Sequence, residues 1–419
     1  MEGNGLLREI MDLSVYDTHE HYNFGESREI DLPGFVARSY LGTDLQAVGM
    51  DLDAFDKIKD AHDRWRALSP HLRGVWNTSY HHYVQRSLES ILGLEGHLTD
   101  DNWERYDSQF KSLVSKPGWA DECLDRARIK HILNDPYWDS FDAEAPVSRA
   151  SPVLRVNALV LGAGTGATDH NDLSGYNKAK EMGLPLDRLD DYEDFVSNEM
   201  ERFMRAGSRT AKSAMAYDRI IKFDHVPRSL AEKAYEKGTR TSFAERKNLE
   251  DYLFHYILLE CGERDLPMQI HTGILAGVGA IPTDAHPNML DDVVKQYPDT
   301  RFDLFHGGYP YMSELTIMAK VYRNVYLDLC WLPLISRTAC ERCLNEWLDT
   351  FSHRKIFWGG DVGTPEHTVG AVTVAKEAVC SVLEDRIERK ILDRADALDV
   401  ARSIFYENAC YFFEKHHAA

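Results

Sequence analysis

The chain has 419 residues, of which 43% are apolar and 28% are charged. This length and composition exclude a disordered chain, a collagen-like fibre and a small disulfide scaffold, because they allow a large buried core. The 68 acidic and 48 basic side chains give a formal net charge of −20, which would repel a nucleic-acid backbone or an anionic membrane surface. We therefore expect neither nucleic acid nor a membrane as a partner.

The N-terminus has no basic start followed by an apolar stretch, and no run of about 18 apolar residues occurs. The seven scattered cysteines do not resemble a disulfide framework. We therefore expect a cytoplasmic protein. Cys340 and Cys343 form a CxxC within a helical pattern, but no second pair completes a zinc site, which favours ordinary helix residues.

Short β-rich runs alternate with longer amphipathic runs along the chain. Eight runs are predicted as strands, at residues 14–19, 128–134, 153–161, 209–217, 266–272, 301–307, 324–331 and 355–361. This alternation is typical of βαβ units. Eight units predict an α/β fold, a (β/α)₈ TIM barrel that forms one domain over residues 1–419. Barrels of this kind often associate, so we expect a homo-oligomer.

Two stretches are longer than a barrel requires. Residues 22–127 form a large, mainly helical insertion after the first predicted strand, and a smaller insertion follows the third. Insertions that follow barrel strands rise from the C-terminal face, where active sites are built. The first insertion is therefore predicted to be a cap over the pocket.

The segment LVLGAGTGATDH at 159–170 opens like a dinucleotide-binding turn. That motif requires a helix directly after the glycines. The residues that follow, NDLSGYNK, have the composition of a turn. We therefore interpret the segment as a flexible loop.

The motif DTHEH places two histidines, His19 and His21, at the end of the first predicted strand. Side chains two residues apart in a strand project to the same face, so both imidazoles can reach one ion. Three later predicted strands end with His271, His306 and Asp361. Each histidine alone fits a buried core residue, but together these strand ends predict a metal site at the barrel mouth.

With these motifs the chain resembles the amidohydrolase superfamily, in particular the amidohydrolase 2 type hydrolases and decarboxylases and, more distantly, uronate isomerases. The resemblance is most specific in DTHEH, IHTG, FHGGYPY, NVYLDL and FWGGD, and it is weak in residues 22–127. It implies that His19, His21, His271 and Asp361 bind a metal, with His306 beside either the metal-bound water or the substrate carbonyl. For one divalent ion in this donor set, zinc is the first expectation, and manganese, iron and cobalt are alternatives.

The segment RTAKSAMAYDR looks like the fourth strand of relatives that include the amidohydrolase part of glutamine synthetase-like fusions. Lys212 and Tyr217 match that pattern, whereas Asp218 separates Tyr217 from Arg219 and leaves the role of Arg219 open. Lys212 is either a carbamylated bridge to a second metal, an ammonium that binds a substrate carboxylate, or a residue without a role. The second interpretation is favoured.

Four further residues are candidates for the substrate pocket. His81, His82 and Arg86 lie in a segment that loosely resembles the aromatic-histidine-arginine helix of uronate isomerases. The alternative is a solvated helix face. Trp331 follows the seventh predicted strand and either lines the pocket or packs in the core.

The resemblance implies a metal-dependent hydrolase, in which coordination brings the pKa of a water to about 7. The resulting hydroxide would attack an amide, lactone or ester carbonyl of a small substrate that carries a carboxylate. Asp361 would accept the proton and pass it to the leaving group, as a general acid–base. A non-oxidative decarboxylase and a uronate-isomerase-like sugar-acid isomerase are alternatives, and a barrel that only holds a structural metal is a third.

Overall fold

The computed structural model describes residues 3–23, 30–136, 149–277 and 282–414. Its strands are β1 (Val15–Glu20), β2 (Ile129–Asn134), β3 (Ala150–Pro152), β4 (Leu154–Arg155), β5 (Ala211–Ser213), β6 (Met268–Ile270), β7 (Phe302–Leu304), β8 (Val325–Asp328) and β9 (Ile356–Phe357). All neighbouring strands pair in parallel, in the orders β1-β2-β3 and β4-β5-β6-β7-β8-β9.

The two sheets are parts of one closed barrel. β3 and β4 are halves of a single strand that changes partner at Val153, whose N–H donates to the Asn134 carbonyl at 2.9 Å. At the other edge the Asp361 N–H donates to the His19 carbonyl at 2.8 Å, and the His21 N–H donates to the Val362 carbonyl at 2.9 Å. With β3 and β4 taken together, the described strands make an eight-stranded barrel, and the predicted α/β fold is confirmed.

Helices surround the barrel and cover its mouth. They are α1 (Gly3–Met11), α2 (Leu32–Ala37), α3 (Leu41–Ala47), α4 (Leu52–Lys57), α5 (Ala61–Leu72), α6 (Ser79–Leu92), α7 (Trp103–Val114), α8 (Trp119–Arg126), α9 (Asn157–Val160), α10 (Gly175–Glu181), α11 (Leu189–Arg205), α12 (Arg228–Lys237), α13 (Phe243–Glu263), α14 (Asp291–Gln296), α15 (Met312–Val321), α16 (Leu332–Ile335), α17 (Arg337–Thr350), α18 (Pro365–Glu388), α19 (Arg394–Arg402) and α20 (Asn408–Phe413). No described helix is long and apolar enough to cross a membrane.

The first insertion consists of α2 to α8, and its helices begin at strong N-caps. Asp31 caps α2, Asp60 caps α5 and Thr78 caps α6, each by accepting from a backbone N–H of the first turn. α6 lies against α18, where Gly370 allows close approach, because a Cβ there would overlap the Tyr83 carbonyl. This contact fixes the insertion to the helix that follows the last barrel strand.

The third and fourth predicted strands are longer than the observed ones. The run predicted at 153–161 leaves the sheet after Arg155 and continues as α9, because a short apolar run such as ALV fits either a strand or a helix. The glycine-rich loop at 162–166 therefore follows a helix, which removes the strand that a dinucleotide-binding turn requires. The run predicted at 209–217 is a strand only over β5 and then turns as a 3₁₀ helix, Met215–Tyr217.

Candidate metal centre and pocket

The ends of the barrel strands place the predicted ligand residues at one cavity of about 420 Å³. His21, His271 and Asp361 line this cavity, and His19 and His306 are fully buried beside them. Asp361 has a left-handed backbone, with φ of 57°. This bend turns its side chain towards the histidines at the point where the last strand ends.

The two glycines of FWGGD allow the last strand to approach β1 closely. A Cβ at Gly359 would lie 2.6 Å from Thr18 Oγ1 and 2.8 Å from the His19 backbone nitrogen, and a Cβ at Gly360 would overlap the Glu20 carboxylate. Only residues without a side chain fit between these atoms. The glycines therefore bring Asp361 beside the histidine pair of β1.

The donor atoms converge on a small volume. His21 Nε2 lies 3.0 Å from Asp361 Oδ1, and His19 Nε2 lies 4.0 Å from the same oxygen. On the other side His306 Nε2 lies 3.8 Å from Asp361 Oδ2. His306 Nε2 also lies 3.0 Å from His271 Nδ1.

Hydrogen bonds at the far sides of the rings direct the lone pairs of His271 and His306 towards each other. His271 Nε2 faces the Ile274 carbonyl at 2.7 Å, and His306 Nδ1 faces the Cys330 carbonyl at 2.9 Å. Because a carbonyl only accepts, each of these nitrogens carries the ring's proton when the ring is neutral. Two lone pairs then face each other at 3.0 Å, an arrangement that fits two ligands of a shared cation.

The proton of the neutral His21 ring can be placed by the same argument. Its Nδ1 donates to the Asp135 carbonyl at 2.7 Å, so the lone pair of the neutral ring at Nε2 points at the Asp361 carboxylate. Second hydrogen bonds of this kind orient metal-binding histidines in proteins. The residues at the strand ends therefore fit a divalent cation.

The protonation states also suit metal binding. Burial lowers the pKa of His19 and of His271 well below 6.5 and lowers the pKa of His306 to about 4. These rings are therefore neutral at pH 7, the form that donates to a metal. Burial opposes ionisation of Asp361, but the hydrogen bond and positive charge that the His21 ring supplies when it is protonated hold the pKa of Asp361 below the usual range, so Asp361 is a carboxylate.

Lys212 lies at the floor of the cavity. It is 2% exposed, and its Nζ lies 3.2 Å from His19 Nε2 and 3.8 Å from the centre of the Phe305 ring. Burial lowers the pKa of Lys212 to about 8. It is therefore a buried ammonium at neutral pH, directly beside the first histidine of the motif.

The structure separates Tyr217 from Arg219. Tyr217 lines the cavity, with its ring edge-on to His271 at 5.0 Å between centroids. Arg219 points away and forms ion pairs with Glu250 at 2.8 Å and Asp251 at 2.6 Å on α13. The 3₁₀ turn that ends at Tyr217 directs the two side chains in different directions, so Arg219 is not brought to the cavity.

The candidates on α6 are also outside the cavity. His82 Nε2 and Arg86 Nη2 lie 3.3 Å and 3.0 Å from the two carboxylate oxygens of Glu377 on α18. The His81 ring packs 5.5 Å from the ring of His97. The face of α6 that carries these residues is used to hold the insertion in place.

Trp331 is 1% exposed and lies behind the site rather than on its surface. Its ring is edge-on to His306 at 5.3 Å and contacts the Tyr40 ring at 4.6 Å. It therefore supports two residues of the site from behind. This contact agrees with the packing alternative considered for this tryptophan.

The first insertion reaches the metal centre through Tyr40, which the sequence analysis did not single out. Tyr40 lines the cavity together with Arg38 and Ser39. Its hydroxyl donates to the backbone carbonyl of Asp361 at 2.7 Å. The insertion is thus a wall of the pocket and contacts the main chain of a candidate ligand.

A chain of polar side chains borders the opposite side and was also missed. Asp218 accepts from His170 Nδ1 at 2.8 Å and from the His170 backbone N–H at 2.7 Å. His170 Nε2 then lies 3.3 Å from Arg155 Nη2, and Arg155 Nη1 donates to Asp135 at 3.0 Å. The aspartate that interrupts the expected tyrosine-arginine pair thus holds a histidine of the second insertion against the cavity.

The chain is similar to several known proteins. Residues 215–414 match the family model described as amidohydrolase. Protein fluG of Emericella nidulans is 30% identical over 195 residues, which are 45% of this chain and 22% of that protein, so the chain spans about a fifth of this curated relative. Uronate isomerase from Thermotoga maritima superposes with a TM-score of 0.83 at 14% identity, over 98% of this chain and 97% of that one. A proposed metal-dependent hydrolase from Lactobacillus casei superposes with a TM-score of 0.65 at 16% identity, over 98% of each chain.

These findings confirm the resemblance that the motifs predict. The family model covers the segment that carries IHTG, FHGGYPY and FWGGD, and the superpositions show the same barrel fold over nearly the whole chain. Two groups among the described residues, His19 with His21 and Asp135 and His306 with Cys330 and Asp361, have ligand atoms within 4.8 Å of one another, a spacing that could hold a metal ion.

Proposed function

Because the chain has the fold and the sequence pattern of the amidohydrolase superfamily, we propose that it is a metal-dependent hydrolase. Its substrate is a small molecule that carries a carboxylate and an amide, lactone or ester carbonyl. The observation that carries this proposal is the set of imidazoles and one carboxylate whose donor atoms lie close together beside the cavity.

His19, His21, His271 and Asp361 would hold the ion, with zinc as our first proposal and manganese, iron or cobalt as alternatives. A divalent ion in such a site supplies Lewis acidity and lowers the pKa of a coordinated water. His306 is fully buried and neutral at pH 7, and its Nε2 lies 3.0 Å from Nδ1 of His271, so we assign it as an uncharged imidazole beside the substrate carbonyl and not as a charged group.

Asp361 is the proton carrier in this proposal. Its carboxylate is ionised, borders the cavity and lies within 4.0 Å of donor nitrogens of His19, His21 and His306. It would accept a proton from the attacking water and deliver it to the leaving group. The Tyr40 hydroxyl and the His19 carbonyl, which bond to its main chain, keep the carboxylate in place during this transfer.

The cavity lining supports an anionic substrate. Among the described lining residues three are basic, Arg38, Arg155 and Lys212, and one is acidic, Asp361. Lys212 is the residue that we assign to the substrate carboxylate, because its ammonium is desolvated and faces the candidate ligands. Tyr217 forms one side wall, and the first insertion acts as a cap through Arg38 and Tyr40.

A sugar-acid isomerase is the second candidate. The superposition on uronate isomerase covers 98% of this chain, including the insertion that caps the pocket. An isomerase would use Asp361 to move a proton between adjacent carbons, whereas a decarboxylase would need an acid that protonates carbon. The same set of metal-binding residues can support each of these reactions. Identification of the reaction product therefore distinguishes among them.

The test is a parallel screen of the full-length protein loaded with zinc or manganese. Acylated amino acids, lactones, sugar acids and aromatic carboxylates are assayed for hydrolysis, isomerisation and carbon dioxide release. We expect hydrolysis that disappears on chelation, returns with metal, and falls at least about 100-fold in Asp361→Asn. Hydrolysis that survives chelation, or an Asp361→Asn variant of normal activity, would refute the proposal. Isomerisation without hydrolysis would establish the second candidate.

A further inference from the structure

The second barrel strand brings one more carboxylate to the metal centre. Asp135 directly follows β2 and is fully buried. Its backbone N–H donates to the Glu20 carbonyl at 2.7 Å, and its own carbonyl accepts from His21 Nδ1 at 2.7 Å. The main chain of Asp135 is therefore locked to the end of β1, beside both histidines of the first motif.

The carboxylate of Asp135 is only half satisfied. Oδ2 accepts from Arg155 Nη1 at 3.0 Å and lies 3.9 Å from His19 Nε2. Oδ1 is buried and has no hydrogen-bond partner among the described residues. A buried carboxylate oxygen without a partner is unfavourable, and a cation bound at its side would remove that penalty.

The distances match a shared ion. The ligand atoms of His19, His21 and Asp135 all lie within 4.8 Å of one another. Ligands about 2.0–2.2 Å from one ion lie at most about 4.4 Å apart, and Asp135 Oδ2 is already 3.9 Å from His19 Nε2. We propose that Asp135 is a ligand of the same divalent ion, in addition to His19, His21, His271 and Asp361.

The simpler reading is that Asp135 only orients Arg155. Arg155 engages one oxygen of the carboxylate, and this reading leaves the other buried oxygen unmatched. A carboxylate offers about four lone pairs, so Asp135 can accept from Arg155 through Oδ2 and still bind a cation, either through Oδ1 or through the remaining lone pair of Oδ2. Arg155 then offsets the additional negative charge beside the ion.

This ligand changes which metal the site prefers. Three imidazoles with two carboxylates exceed the four ligands of a tetrahedral zinc site. An additional carboxylate ligand and a coordination number above four suit manganese better than a tetrahedral site does. Removal of the Asp135 carboxylate is therefore expected to weaken manganese binding more than zinc binding.

The inference rests on the metal centre of the proposed function, and its test measures binding and geometry rather than turnover. Manganese and zinc affinities of the metal-free full-length protein are measured by chelator competition for wild type, Asp135→Asn and Asp218→Asn. Asp218 is the matched control, because it is a hydrogen-bonded carboxylate near the cavity that holds His170 instead of facing His19. We expect manganese affinity to fall more than tenfold in Asp135→Asn and less than threefold in Asp218→Asn.

A crystal structure of the manganese-loaded wild type shows whether Asp135 binds the ion or only lies near it. This measurement does not depend on a variant that folds. We expect an Asp135 oxygen within about 2.2 Å of the ion, the range of metal–carboxylate bonds. An ion held by His19, His21, His271 and Asp361, with both Asp135 oxygens farther than about 3 Å, would overturn this inference and leave the proposed function intact. A protein that binds neither metal would overturn both.

Discussion

Gly370 on α18 decides whether the insertion can cover the pocket. A Cβ at this position would overlap the Tyr83 carbonyl and Ser87 Oγ, and it would lie 2.9 Å from the Ser87 nitrogen. Two of these three atoms belong to the backbone of α6, so no side-chain rotation relieves the clash. In Gly370→Ala, α6 must therefore move away from α18 by more than about 1 Å to restore ordinary contact distances of about 3.5 Å.

The expected change in the free energy of unfolding results from two opposing effects of the added methyl group. Overpacking by one methyl group typically destabilises by about 1–3 kcal/mol, and backbone contacts belong to the upper end of that range. Replacement of glycine by alanine within a helix recovers about 1 kcal/mol of helix propensity. We therefore expect Gly370→Ala to lower the free energy of unfolding by about 2 kcal/mol.

The assay is urea unfolding of the full-length protein, with turnover and metal content measured in parallel. Gly164→Ala is the matched control, because a Cβ there has no atom within 4 Å and its backbone is not left-handed. Turnover should fall with the loss of the wall formed by Arg38 and Tyr40, whereas metal content should hold, because the candidate ligands lie on the barrel. Equal stability and activity of the two variants would refute the role of this contact.

Three further changes test single contacts. In the metal-free protein His306 has a pKa of about 4 against 6.5 when unfolded, so the unfolded chain binds its proton first and stability falls as pH drops from 6.5 to 4. This one ring should lower the free energy of unfolding by about 3 kcal/mol over this pH interval. In His306→Gln the free energy of unfolding, measured with urea, should therefore depend less on pH. An unchanged pH dependence would contradict the lowered pKa of His306. The ammonium of Lys212 is lost as pH rises through about 8, so calorimetric binding of succinate should weaken about tenfold between pH 7 and 9 and become independent of pH in Lys212→Gln. Tyr40→Phe removes the hydroxyl that donates to Asp361 at 2.7 Å, a contribution of about 1 kcal/mol, so turnover should fall about fivefold with unchanged metal content; a normal rate would show that this bond is dispensable.

The sequence predicted the fold and the grouping of the candidate residues where a regular pattern of strands and helices determines where a residue lies. Alternating strands and helices predicted the barrel, and the rule that strand ends meet at one face predicted that His19, His21, His271, His306 and Asp361 lie together. The same rule could have found Asp135, which follows HILN at the end of β2 as Asp361 follows FWGG at the end of β9. That residue was missed because aspartate after a strand is also a common turn residue.

The direction in which helices and loops point their side chains could not be predicted from such patterns. His81, His82 and Arg86 lie on the helix that was predicted to approach the pocket. In the structure His82 and Arg86 face Glu377 on α18, and His81 packs against His97. The pairing of Asp218 with His170 joins residues 48 positions apart in two loops. Such contacts depend on tertiary packing, which local periodicity does not encode.

The distribution of charge is compatible with the anionic substrate that we propose for this acidic chain. The net charge is −20, yet Lys212 and Arg155 are nearly fully buried at the cavity. Charges on the surface are screened beyond about 10 Å in 0.1 M salt, whereas buried charges are screened much less. The negative surface therefore slows the approach of a carboxylate, and the buried cations hold it once it has entered. Added salt should accordingly raise the association rate of an anionic substrate and leave its dissociation rate nearly unchanged.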